Sequence, residues 1–157
     1  MSSIRVLVVA DHKNSWTETA VHEYLKKISF FCKFSVEVLK PLKMGRADAS
    51  EKQKRESELI LSKIKDKEYV ILCDERGITL DSKGFAKKLQ DMLDVNPNPK
   101  CFVIGGTYGS SADLKQRADV LLKLSDLTLN HHVALVNLLE QIYRGFSIIK
   151  NLPYHNE

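Results

Sequence analysis

Three short segments of this chain combine residue types that can do chemistry with neighbours that can hold them in place. Asp74-Glu75-Arg76-Gly77 sets two carboxylates and a guanidinium directly after an apolar run. Gly105-Gly106-Thr107-Tyr108-Gly109 is a glycine loop, whose backbone can approach a ligand closely and turn amide N–H groups toward it. Ser125-Asp126-Leu127-Thr128-Leu129 mixes hydroxyls, a carboxylate and apolar side chains. Each has a plainer reading beside the functional one. The acidic triplet also suits a solvated turn with local ion pairs, and the glycine loop also suits a simple tight turn. The loop is neither GxGxxG nor the Walker pattern, so its spacing does not point to a nucleotide phosphate. His131 and His132 are neighbours on a predicted helix and point about 100° apart. They cannot chelate one metal together and are expected to cap or pack, so no metal is implied.

The elements around these segments follow from periodicity. Residues 4–10 are a near-continuous β-branched and apolar run, which suits a strand covered on both faces. Ser15 is placed to cap a helix reaching Ile28, with Glu18 completing a capping box. Residues 34–39 alternate as a strand, 41–49 form a loop around Gly45, and 50–65 form a highly charged helix. A buried strand is expected at 69–73, a helix at 82–93, the breaker Asn96-Pro97-Asn98-Pro99, and a strand at 101–104. A helical turn at 112–117, a strand at 120–124 and a long helix at 131–150 complete the order, before a short tail. Alternating strands and helices predict a single α/β domain over 1–157, with a mostly parallel sheet flanked by helices. All three polar segments then leave carboxyl ends of strands, where open α/β sheets collect ligands, and one shared pocket is implied.

The last helix is informative in another way. Leu135, Leu138, Leu139, Ile142, Phe146 and Ile149 form an apolar stripe that Val136 and Tyr143 widen. Such a stripe can cover the sheet alone, or the sheet and a partner subunit, and the pattern leaves both open.

Composition sets limits. No apolar run approaches the roughly 20 residues that cross a bilayer, and the N-terminus lacks a basic region followed by a secretory core. A soluble, intracellular protein is the expectation, with no membrane partner. The three cysteines (Cys32, Cys73 and Cys101) include no CxxC pair and sit among apolar neighbours, as buried free thiols in a reducing compartment would. The net charge of +4 permits an anionic partner without requiring one.

Five motifs in register make the chain recognisable: Asp74-Glu75-Arg76-Gly77; Phe102-Val103-Ile104-Gly105-Gly106-x-x-Gly109; Leu124-Ser125-x-Leu127-Thr128-Leu129-x-His131; Glu140-Gln141-x-Tyr143-Arg144; and Tyr154-His155-x-Glu157. Together they closely resemble the ribosomal RNA large subunit methyltransferase H family, of the SPOUT class of knotted methyltransferases, over essentially the whole chain. The resemblance implies an α/β fold with a C-terminal trefoil knot, a cytoplasmic homodimer, and S-adenosylmethionine as cofactor. It also implies methyl transfer to N3 of a pseudouridine in 23S ribosomal RNA. Carried over by position, the cofactor residues are Cys73 or its neighbour Leu72, then Gly105, then Leu124, Ser125, Asp126, Leu127, Thr128 and Leu129. The tail supplies the catalytic candidates: His155 as a base for the N3 proton, and Tyr154 as a stacking or positioning group. Arg144 reads as a structural hydrogen-bonding residue or a phosphate contact.

There are departures from the family pattern. Thr107-Tyr108 replace a common Pro-x, Asn130 replaces a common Pro, and Leu135 stands where Arg is typical. The last is expected to remove a charge near the RNA face and weaken phosphate contact. It motivates two alternatives: a non-catalytic, ribosome-associated RNA-binding protein of the same fold, or a SPOUT enzyme with another RNA target. Lys40, Lys43, Arg46, Lys52, Lys54 and Arg55 are candidates for the RNA surface, each also readable as solvated.

Overall fold

The computed structural model describes residues 2–11, 15–43 and 48–156. Its strands are β1 (Ser3–Val9), β2 (Lys33–Leu39), β3 (Tyr69–Thr79), β4 (Lys100–Ile104) and β5 (Val120–Lys123). Its helices are α1 (Ser15–Ile28), α2 (Ala49–Lys63), α3 (Ser82–Val95), α4 (Ala112–Arg117) and α5 (His131–Ile149). The strands form one sheet in the order β2-β1-β4-β3-β5, and every pairing is parallel. The mostly parallel sheet predicted from the apolar runs is thus parallel throughout.

The apolar runs are continuous because both faces of the sheet are covered. Ile4, Val6 and Val8 of β1 face one core with Ile71, Phe102 and Leu122, against α1, α3 and α5. Leu7 and Val9 face a second core with Val70, Leu72, Cys101 and Val103, closed by Ile60 of α2 and Leu114 of α4. Successive side chains on a strand alternate faces, so a strand between two helical layers has no polar side.

Two boundaries differ from expectation for physical reasons. Ser15 is the first residue of α1 rather than the residue before it. Asp74-Glu75-Arg76-Gly77 is not a loop after a finished strand. β3 pairs with β5 through Ile71–Cys73, slips register, and pairs again at Ile78 and Thr79. The polar residues are therefore a bulge inside one long strand, a device that re-aims side chains beside a site. Gly45, Arg46 and Glu157 lie outside the described residues.

At the N-terminal end of the sheet Arg5 clasps Glu68. Its Nε donates to Oε2 at 2.7 Å and its Nη2 to Oε1 at 2.6 Å. At the other end helices start with clear signals. Asp81 accepts from the Gly84 amide, Ser111 from the Leu114 amide, and Asn130 from the Val133 amide. Asn130, in place of the more usual proline, gives α5 a side-chain cap. Among the described residues no helix is long and apolar enough to cross a membrane, and no group of three or more metal-ligating side chains occurs.

Candidate active site

A cavity of roughly 670 Å³ opens beyond the carboxyl ends of β3, β4 and β5. That size lies within the range of small-molecule and cofactor sites. The bulge 74–76, the glycine loop 105–110 and the stretch 123–129 line it, with Gln53 of α2 and His131 and Ala134 of α5.

The glycine loop is braced rather than slack. The Gly109 amide donates to the Gly106 carbonyl at 3.1 Å, closing a turn, and Gly109 has φ +83°, a left-handed conformation that favours glycine. From α2, Gln53 Nε2 donates to the Tyr108 carbonyl at 2.7 Å, and the Lys52 ammonium lies over the Tyr108 ring at 5.6 Å. The Ser111 amide donates to Ser57 Oγ at 2.9 Å. A Cβ at Gly105 would come within 2.9 Å of Ser110 Oγ, and one at Gly106 would collide with Glu56 Oε1. Both glycines sit where the packing leaves little room for a side chain.

The other two segments hold themselves by local bonds. Asp74 Oδ1 accepts from the Arg76 amide at 2.8 Å, and its Oδ2 lies 3.8 Å from Lys115 Nζ. Ser125 Oγ accepts from the Leu127 amide at 3.0 Å, and Lys123 pairs with Asp126 at 2.7 Å. Burial pushes the Cys73 thiol up to about 12, so at neutral pH it is a small apolar wall and not a nucleophile.

A family profile described as "Predicted SPOUT methyltransferase" matches residues 2–155. The chain belongs to the SPOUT methyltransferase family. Its relatives span the same length. A protein of Bdellovibrio bacteriovorus named ribosomal RNA large subunit methyltransferase H is 45% identical over 94% of this chain and 95% of its own. Proteins of the same name from Pseudothermotoga lettingae and Flavobacterium johnsoniae are 41% and 35% identical, over 95% and 99% of this chain and 97% and 99% of theirs.

In this SPOUT methyltransferase the positions singled out in the sequence fall into two groups. Cys73, Gly105, Leu124, Ser125, Asp126, Leu127, Thr128 and Leu129 all line the one cavity. Leu72 does not: it is fully buried in the second core, on the face opposite Cys73. Tyr154 and His155 are also absent from the lining. They fold back on α5 instead. The Tyr154 hydroxyl donates to Glu140 Oε2 at 2.5 Å, and Arg144 holds the same carboxylate at 3.0 and 2.9 Å. Arg144 Nη1 also lies 3.1 Å from His155 Nδ1, so this side chain ties the tail to α5. Glu140 is nine residues beyond His131, about 13 Å along the helix axis.

Leu135 is 2% exposed and part of the first core. The expectation that this position bears on an RNA-facing surface fails for the single chain, because its side chain points inward to Leu138 and the sheet. Sequence reasoning also gave His131 only a packing or capping role, yet the side chain lines the cavity. It passed over Glu56, a buried carboxylate under the glycine loop. The signal for Glu56 was weak: one of three glutamates in a helix crowded with charge.

Proposed function

We propose that the protein transfers a methyl group from S-adenosylmethionine to N3 of a pseudouridine in 23S ribosomal RNA, acting in the cytoplasm as a homodimer. One observation carries this reading: a cofactor-sized cavity where β3, β4 and β5 lie side by side, in a family member whose full-length relatives are named for ribosomal RNA methylation.

The lining suits the cofactor. Cys73, Leu124 and Leu129 offer apolar walls to an adenine, and the glycine loop and the 124–129 stretch offer backbone donors and acceptors. S-adenosylmethionine, when bound, supplies an electrophilic methyl on a sulfonium. The chain's task is to hold that carbon and the target nitrogen in line and to exclude water, and positioning of this kind supplies much of a transfer rate. The braced glycine loop and the bulge of β3 are rigid supports for it.

Two features bear on the finer parts of the reading. The backbone of β5 runs close against Gly77, where β3 shifts register in its parallel pairing with β5; the trefoil knot belongs to the reading as what the family resemblance implies. The tail candidates Tyr154 and His155 lie well along α5 from their own cavity. A second copy, docked on the partly exposed α5 face around Tyr143, would be needed to bring a tail to the site.

The test has two steps. Calorimetry should show S-adenosylmethionine binding to the purified protein. Ribosomes from a strain lacking the corresponding methyltransferase should then gain one methylated pseudouridine, identified by mass spectrometry of nucleosides. Binding without methylation of any ribosomal RNA would favour the non-catalytic alternative. No binding would remove the proposal.

A further inference from the structure

Two groups at the cavity remain unused by the mechanism above. Glu56 of α2 is 1% exposed. Its Oε2 accepts from the Leu42 amide at 2.9 Å, and its Oε1 has no hydrogen-bond partner among the described residues. An unpaired oxygen on a buried carboxylate is costly to maintain. This one occupies the space a Cβ on Gly106 would take, against the loop that lines the cavity. The second group is His131, the first residue of α5, whose imidazole faces the cavity.

The charges around His131 come from three elements. Glu56 and Lys52 belong to α2, Asp11 follows β1, and His132 is on α5 itself. Burial is the largest influence and holds the imidazole below its usual range. Glu56 opposes it more strongly than any other charge, Asp11 acts with Glu56, and His132 and Lys52 act with burial. The positive end of α5 also disfavours an imidazolium. Of the other charges lining the cavity, Asp74 lies near Lys115 and Asp126 pairs with Lys123, while Glu75 and Arg76 of the β3 bulge also line it.

We propose that His131 is the proton acceptor of the methyl-transfer step, and that Glu56 is its positioning residue, supplying the anion that stabilises the protonated ring. The proposal rests on the functional reading above. The balance is simple. As the N3 nitrogen bonds to the methyl carbon, the carbon–sulfur pair stays on sulfur, and the neutral imidazole takes the N3 proton. The sulfonium's positive charge thereby ends on His131, where Glu56 is the strongest charge favouring the protonated ring. A neutral imidazole is the form that can accept, and burial favours that form near pH 7.

The experiment pairs two readouts on the full-length protein. NMR titration of His131 needs no RNA. It should show a midpoint below the usual 6.5, and a still lower one in Glu56→Gln, which keeps an acceptor for Leu42. Turnover on ribosomes should show kcat reduced about 10²- to 10⁴-fold in His131→Gln, with S-adenosylmethionine affinity within about threefold of wild type. The acid limb of the kcat profile should follow the His131 midpoint, move to lower pH in Glu56→Gln, and vanish in His131→Gln. A full rate in His131→Gln, or one His131 midpoint shared by wild type and Glu56→Gln, overturns the proposal. Wild-type protein that methylates no ribosome removes the functional reading and this inference with it.

Discussion

The backbone of Leu122 runs so close to Gly77 that a Cβ at Gly77 would lie 2.6 Å from both the amide nitrogen and the carbonyl carbon of Leu122. The contact lies where β3 slips register against β5, between Cys73 and Ile78. Only a residue without a side chain lets the two strands meet there, and the meeting aims the 74–76 bulge into the cavity.

Gly77→Ala is therefore expected to destabilise the protein by about 3 kcal/mol, the upper part of the usual range for overpacking. The obstacle is backbone, which cannot swing aside as a side chain would. Urea unfolding should show the midpoint shift. An unchanged midpoint would mean that the bulge has room the geometry does not give it.

Gly105→Arg should weaken S-adenosylmethionine binding more than about 100-fold, or about 2.7 kcal/mol, while far-UV circular dichroism stays near wild type. The new side chain must leave past Ser110 Oγ, 2.9 Å from its Cβ, and into the cavity. Calorimetry decides it.

Arg5 and Glu68 set a pH limit on stability. Burial alone would raise the Glu68 carboxyl, but hydrogen bonds from Arg5 and the Lys65 amide outweigh it and hold the group below its usual range. A carboxyl lowered by folding contributes stability above its unfolded value of about 4.3, and that contribution is lost as pH falls through the lower folded value. Melting temperature should drop across this acid window, and less steeply in Glu68→Gln. Arg5→Met, which strands a buried carboxylate, should cost about 3 kcal/mol at neutral pH.

The tail offers a spectroscopic handle. The hydrogen bond to Glu140, helped by burial, pushes the Tyr154 phenol up to about 12. Tyr154→Phe should remove a late-titrating tyrosine from the alkaline absorbance curve. Deleting residues 154–157 should lower kcat about 10²-fold or more and leave S-adenosylmethionine affinity nearly intact. Equal losses in both would place the tail in the cofactor pocket instead.

Much of this architecture was legible in the residues. The unbroken run of β1 announced a strand covered on two faces, and Leu7 and Val8 do face opposite cores. The breaker before β4 is a local signal, fixed by backbone chemistry within a few residues, whereas the caps Asp81, Ser111 and Asn130 came from the structure. The bulge of β3 was not legible, because Asp-Glu-Arg-Gly has a turn's composition. Only the neighbouring β5 brings Ile78 and Thr79 back into a ladder. Leu72 and Cys73 were equally apolar on paper, and the pleat of one strand separates them.

By itself the sequence determined the element order, the two-faced core and the five motifs that place the chain in its family, since these depend on residue type and short-range spacing. The tertiary structure decided which of those motifs meet. The bulge of β3 and the loops after β4 and β5 share a cavity because those strands are neighbours in the sheet. The tail does not join them, because Glu140 and Arg144 tether it along α5. Gln53 and His131 line one cavity across 78 residues of chain only because the first halves of α2 and α5 both reach it. Such distances are set by packing, and no local pattern encodes them.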